Sequence, residues 1–357
     1  MLSKRVKELL GARVKYPFAR EYGAKVAGAI NLSSNESPFG PSQHVVRAVR
    51  REAKRVGAYP DPRAAELKRA IAGYVGVGAA CVALGNGSDE IVDLVCKAVL
   101  DSGDEVLVPL PTFSMYEISC RVSNGVPRFI ELRNFEWRAD ELVDGMAGAK
   151  LAFIARPNNP TGNGISAAGL RRLLATGKPI VVDEAYAEFA GYSVARRAAR
   201  SKNLIVLRTF SKAFGLAGLR IGYAIANREF IQALEQIRAP FNVNRLAQVA
   251  AIAALKDRRY LQRVVAAVRG ERAYLRGELS KLGMRILPSD ANFLMADVTP
   301  LGVEAPELCE FLARKKIFIR DLSDFRGAGA DWVRITVGTP QQNRRLILAL
   351  KKFKRGD

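Results

Sequence analysis

Short, almost uninterrupted runs of aliphatic and β-branched residues alternate with helical stretches through the first two thirds of the chain. This alternation constrains the fold more than any other feature. The runs include EVLVP at 105–109, LAFIA at 151–155, PIVVD at 179–183 and NLIVLR at 203–208. Strands that are apolar at nearly every position are buried on both faces. The helices between them have readable ends. Asp61 and Pro62 give a cap and a first-turn proline, after which Leu67, Ile71 and Tyr74 share a face. Ser88, Asp89 and Glu90 open a second helix with Ile91, Leu94, Val95 and Ala98 on one stripe, and Ser166 caps a third that ends at Gly177. The pattern predicts an α/β fold in which a mostly parallel central sheet is flanked by helices.

From about Asn244 to Leu282 the periodicity is helical, which predicts one long connecting helix. Strand-like pieces follow at 291–298, 316–322 and 331–337, with helical stretches at 306–315 and 340–353, the makings of a smaller α/β domain. The expected division is an N-terminal arm at 1–43 that belongs with the smaller domain, a large domain at 44–243, and the connecting helix plus smaller domain at 244–357. A chain of 357 residues, 49% hydrophobic, can bury such cores without disulfide or metal staples.

Composition then removes several chemistries. The 4 cysteines have no CxxC spacing, and the single histidine, His44, cannot build a multi-histidine metal site. His44 follows a Gly-Pro turn, which suits a helix start on the surface. The net charge of +21, from 56 Lys and Arg against 35 Asp and Glu, attracts anions. These positive residues are spread along the chain without a basic tail or an aromatic-interleaved motif. Small phosphates and carboxylates are therefore the expected ligands, rather than nucleic acid. No stretch approaches the roughly 18 consecutive apolar residues of a membrane span, and the first residues lack the pattern of a secretory signal. A cytoplasmic protein is expected.

Five segments at strand ends carry chemistry. TFSKAFGLAGLRIGY at 209–223 places Lys212 just past a strand, with Arg220 nearby. A partly buried lysine with cationic neighbours keeps its amine deprotonated for covalent work on carbonyls. VVDEAY ends a strand at Asp183, whose carboxylate can hold a proton on a heterocyclic nitrogen; Tyr186 follows. PNNPTG offers Asn159 as a donor. ALGNGSDE joins a strand to a helix start, where backbone N–H groups of Gly87, Ser88 and Asp89 suit one phosphate; the third glycine of a dinucleotide fingerprint is absent. PTFSMY offers Phe113 as a flat surface for an aromatic ring. Jointly these ask for a phosphorylated pyridine that carries an aldehyde, pyridoxal 5′-phosphate.

With NLSSNESPFGP at 31–41, AYPDP at 58–62 and RITVGT at 334–339 added, the chain resembles the fold-type I, class II aminotransferases that use this cofactor, and within them the histidinol-phosphate aminotransferases. The resemblance implies that Lys212 condenses with the cofactor aldehyde and that Asp183 pairs with the ring nitrogen. Asn159 and Tyr186 would bind the ring hydroxyl, and Phe113 would stack on the ring. Gly87, Ser88, Asp89, Thr209, Ser211 and Arg220 would hold the phosphate, with Tyr59 reaching across from the second subunit of a homodimer. Asn35, Arg320 and Arg334 would face the substrate. The implied reaction is transamination of histidinol phosphate with 2-oxoglutarate, a step of histidine biosynthesis. Two alternatives share the framework, a threonine-phosphate decarboxylase and a broad aromatic or aspartate aminotransferase; NESPFGP and PTFSMY look more like the histidinol-phosphate enzymes. The chain departs from the family at Ala58, where arginine is frequent, and its arm offers Tyr16 and Tyr22 without a clear match to the family's substrate-contacting tyrosine.

Overall fold

The computed structural model describes residues 1–2, 4–11 and 27–355. Its strands are β1 (Ile30–Leu32), β2 (Val82–Gly85), β3 (Glu105–Leu110), β4 (Val126–Glu131), β5 (Leu151–Ala155), β6 (Ile180–Asp183), β7 (Leu204–Thr209), β8 (Gly222–Ile225), β9 (Phe293–Asp297), β10 (Ile317–Asp321) and β11 (Trp332–Thr336). A seven-stranded sheet has the order β2-β8-β7-β6-β5-β3-β4, and β8 alone runs antiparallel to its neighbours.

Alternation of side chains explains how this sheet is covered. Ala152, Ile154 and Val206 point to a face packed by Leu67 and Ile71 of helix Ala65–Val75, Leu170 and Leu173 of helix Ala167–Ala175, and the alanines of helix Arg245–Lys256. Leu151, Phe153, Ile205 and Leu207 point to the other face, against Ile91, Val92 and Val95 of helix Ser88–Val99 and Ile231 and Leu234 of helix Arg228–Ile237. Every residue of β5 and β7 is buried, as a parallel sheet with two covered faces requires. The α/β architecture read from the alternation is the one observed.

A four-stranded sheet, β1-β10-β11-β9, forms the second layer system. Here β1, from the start of the chain, pairs parallel with β10, and Leu346, Ile347, Leu308, Leu312, Val264 and Leu279 pack on it. Two sequence expectations need correction. The stretch expected to be one long helix is two, Arg245–Lys256 and Arg258–Lys281. Asp257 leaves the helical region (φ −95°, ψ 61°) and its carboxylate accepts from the Tyr260 N–H, capping the second helix; the apolar periodicity continues across the break and hides it. The helix expected to begin at Pro62 begins at Ala65, because Asp61 holds a turn by accepting from the N–H groups of Arg63 at 3.0 Å and Ala65 at 2.8 Å. His44 is exposed in the first turn of helix Gln43–Glu52, 3.0 Å from Asp257.

Candidate active site

The carboxyl ends of parallel strands open onto a crevice where α/β sheets bind ligands. In this chain the crevice is a cavity of about 530 Å³ between the two sheets. Its walls include Asp183 from the end of β6, Asn159 from the loop after β5, Thr209, Ser211 and Lys212 from the end of β7, and Arg320 and Arg334 from the smaller sheet.

Asp183 is buried, and burial holds its carboxyl above the ordinary range, against two hydrogen bonds that pull it down. The Tyr116 hydroxyl donates to Oδ2 at 2.8 Å and the Ala185 N–H to Oδ1 at 2.9 Å, so the carboxylate is aimed. Tyr116 is itself fixed, stacked on Phe153 at 4.8 Å and meeting the edge of Phe113 at 5.6 Å. Lys212 donates from Nζ to the Ser34 carbonyl at 3.3 Å and lies 5.9 Å from the Tyr186 ring centre. Burial lowers its amine from 10.5 to about 8; Arg334 pushes the same way, while Glu36 and Asp89 oppose. Near neutrality this amine is far closer to its free-base form than an exposed lysine.

At the other end, Gly87 turns with φ 82° into the first residue of helix Ser88–Val99. A Cβ on Gly87 would lie 2.5 Å from Arg220 Nη2, and one on Gly222 would lie 2.5 Å from the Ser88 nitrogen. Both glycines keep open a space that side chains would fill. Arg220 adopts a left-handed backbone (φ 52°) and donates to Asp89 at 3.1 Å, to the Ala217 carbonyl at 3.1 Å and to Ser211 Oγ at 3.5 Å. A guanidinium, three hydroxyls (Ser88, Thr209, Ser211) and a helix N-terminus converge there, a donor set suited to a phosphate.

Arg320 and Arg334 are cross-strand partners on β10 and β11, both buried. Arg320 lies over the Phe325 ring at 5.2 Å and Arg334 over the Phe293 ring at 5.5 Å. Arg334 donates to Asn159 Oδ1 and to the Ser33 carbonyl, tying the smaller sheet to the loop after β5. Asn35 donates from Nδ2 to the Tyr186 hydroxyl at 3.0 Å and from its backbone N–H to Thr336 Oγ1 at 3.0 Å.

Of the residues singled out in the sequence, Lys212, Asp183, Tyr186, Ser88, Asp89, Phe113, Asn159, Thr209, Ser211, Arg220, Asn35, Arg320 and Arg334 all line this cavity. Gly87 borders it through Arg220. Tyr59 does not: it is 77% exposed and stacks on Phe241 at 4.5 Å. Tyr16 and Tyr22 lie outside the described residues. Tyr116, Glu36 and Phe325 also line the cavity and were not singled out. For Tyr116 the available signal is its place at the opening of helix Met115–Val122, just after β3. No cluster of metal-ligating side chains occurs among the described residues.

Such a cavity, with a lysine between a phosphate cradle and a buried carboxylate, defines a transferase of the pyridoxal-phosphate type. The chain belongs to the aminotransferase class I and II family, whose pattern matches residues 27–350. It is 38% identical to the histidinol-phosphate aminotransferase of Methanosarcina mazei, over 97% of this chain and 94% of that one. The solved histidinol-phosphate aminotransferase of Sinorhizobium meliloti, in complex with pyridoxal 5′-phosphate, superposes with a TM-score of 0.84 at 29% identity, covering 92% of this chain and 91% of that one. The L-threonine-O-3-phosphate decarboxylase of Porphyromonas gingivalis gives 0.80 at 26% identity, covering 91% and 99%. The family's cofactor is pyridoxal 5′-phosphate, and the glycine-opened cradle and the aimed carboxylate fit its two ends.

Proposed function

We propose that the chain transaminates histidinol phosphate with 2-oxoglutarate, in histidine biosynthesis. The observation that carries this reading is the buried pair Arg320 and Arg334, opposite each other in register and lining the same cavity as Lys212. Histidinol phosphate has no carboxylate, so its phosphate can take the guanidinium pair that the α-carboxylate of glutamate uses in the return half-reaction. The relatives named histidinol-phosphate aminotransferase, at 38% identity across nearly the whole chain, support the same substrate.

When bound, pyridoxal phosphate supplies an aldehyde for covalent attachment and a ring that takes up the electron pair left at Cα. Everything else falls to the chain. Ser88, Thr209, Ser211 and Arg220 would anchor the phosphate, with the N–H groups of residues 87–89. Asp183 would hold the proton of the ring nitrogen, Asn159 and Tyr186 would bind the ring hydroxyl, and Phe113 would cover the ring. Lys212 would be the covalent anchor for the aldehyde, and its Nζ, once free, would carry the proton from the substrate Cα and deliver it back. Its amine at about 8 is suited to both directions. Arg334 and Arg320 would orient the substrate, and the cavity, open to solvent on one side, would admit the water that releases the keto product.

The same reading includes a homodimer in the cytoplasm. Tyr59 is exposed and stacks on the part-exposed Phe241, and Val56 nearby in sequence is exposed too, a surface suited to a second copy whose phosphate site Tyr59 would complete. The four free cysteines suit a reducing compartment. Mixing Lys212→Ala subunits with Tyr59→Ala subunits is expected to restore part of the activity that each lacks; no recovery in hybrids would contradict the shared site. The domain division at 43/44 and 243/244 belongs to this proposal too, and limited proteolysis at those joints tests it.

The discriminating experiment is an amino-donor panel with 2-oxoglutarate: histidinol phosphate, phenylalanine, aspartate and threonine phosphate, with carbon dioxide measured in parallel. The expected result is preference for histidinol phosphate with no carbon dioxide. Release of carbon dioxide from threonine phosphate would establish the decarboxylase instead.

A further inference from the structure

We infer that Glu36 recognises the imidazole ring of the amino donor, its carboxylate accepting the ring N–H, and so distinguishes that donor from glutamate in a pocket both must enter. The inference rests on the histidinol phosphate reading above and adds a residue to it.

The backbone fixes Glu36 through its neighbour. Asn35 is buried in the left-handed region at φ 55°, a conformation that persists only when its surroundings over-determine it. They do so here. Its N–H donates to Thr336 Oγ1, its Nδ2 to the Tyr186 hydroxyl, its Oδ1 accepts from Thr336 and its carbonyl from Asn292 Nδ2, at 3.0 to 3.1 Å. The chain therefore leaves Asn35 in a set direction and carries the exposed Glu36 to the cavity rim.

Three carboxylates line the cavity: Glu36, Asp89 and Asp183. Asp89 accepts from Arg220, and Asp183 from Tyr116 and Ala185. Glu36 forms no salt bridge with another described residue, and of the carboxylates it does most to hold the Lys212 ammonium charged, so its field reaches the reacting centre. The remaining charged groups are Lys212, which is the reacting amine, and Arg220, Arg320 and Arg334, cations that suit phosphate and carboxylate but cannot accept a hydrogen bond. An imidazole brings an N–H donor and, when protonated near its ordinary value of about 6.5, a positive charge. Glutamate brings a side-chain carboxylate in its place, which Glu36 repels.

The test uses the cofactor-loaded enzyme and its Glu36→Gln and Glu36→Ala variants, with each half-reaction measured alone. Amino donors are histidinol phosphate, 2-amino-3-phenylpropyl phosphate, in which phenyl replaces imidazole, and glutamate. For histidinol phosphate, kcat/KM and equilibrium affinity, read from the change in visible absorption, are expected to fall about tenfold. The phenyl ester is expected to change by no more than about twofold, and glutamate to gain a few-fold as the like-charge repulsion is removed. Equal losses on all three donors, or no loss on any, would overturn the assignment to Glu36 while leaving the transaminase reading intact. A wild-type enzyme that turns over glutamate but not histidinol phosphate would remove that reading, and this inference with it.

Discussion

The two sheets contribute to one cavity in different ways. The seven-stranded sheet offers the ends of its strands: Asp183 at the end of β6, Thr209 at the end of β7 with Ser211 and Lys212 beyond it, and the loop after β5 with Asn159. The four-stranded sheet offers a pair of residues within its strands, Arg320 and Arg334, facing each other across an antiparallel ladder. Strand ends and loops can place many different polar groups around a cofactor, whereas a ladder position fixes two like-charged side chains at a set spacing. Two buried guanidiniums at a set spacing suit the anionic end of a ligand. On the proposed reading, the large sheet would carry the chemistry common to both half-reactions, and the small sheet the anionic end of whichever substrate is present.

Removing Lys212 puts the heaviest strain on this division. Lys212→Ala is expected to lower both half-reactions by roughly 10³-fold or more, since anchor and proton carrier go together. Turnover near the wild-type rate, measured in single-turnover assays, would end the mechanism. Asp183→Asn ranks next, with a loss of roughly 10²-fold in both half-reactions and a changed visible spectrum, because a neutral amide no longer balances a protonated ring nitrogen. Arg334→Ala should weaken both donors by roughly 30-fold or more in kcat/KM while sparing the cofactor spectrum. A loss confined to one donor would break the shared cradle, and a loss of bound cofactor would break the separation of the two sheets' roles.

The smaller effects sharpen the same contrast. In the cofactor-free protein Lys212 titrates at about 8 instead of 10.5. The folded state therefore loses this proton before the unfolded state does, and stability rises with pH across that window. The penalty is full below about pH 8 and relieved towards 10.5. Lys212→Met should accordingly be more stable than wild type below pH 8, by roughly 1–3 kcal/mol with the upper end reduced by partial exposure, and the gap should close at high pH in urea titrations. Tyr116→Phe is expected to cost only a few-fold in kcat, since the Ala185 N–H still holds the other oxygen of Asp183. A loss as large as that of Asp183→Asn would place Tyr116 in the reaction itself.

The same contrast explains what the sequence made legible. Lys212, Asp183, Asn159 and residues 87–89 each lie within a few positions of a buried apolar run, so strand pattern and motif occur together in the chain. Contacts between elements leave no such trace. The hydroxyl of Tyr116 meets Asp183 only because β3, β5 and β6 are neighbours in that order. The left-handed Asn35 depends on Thr336 and Asn292, far along the chain. β4, at the sheet edge with Pro127 inside it, is half exposed and lacks the continuous apolar signal of the central strands. The break at Asp257 escaped because packing demands the same apolar spacing on both sides of it.

The most direct measurement is reductive trapping. Borohydride treatment of the cofactor-loaded protein, followed by peptide mass spectrometry, is predicted to leave the phosphopyridoxyl group on the peptide containing Lys212, and prior addition of histidinol phosphate should prevent the labelling. A label on a different lysine, or labelling of Lys212 that histidinol phosphate does not affect, would contradict the account.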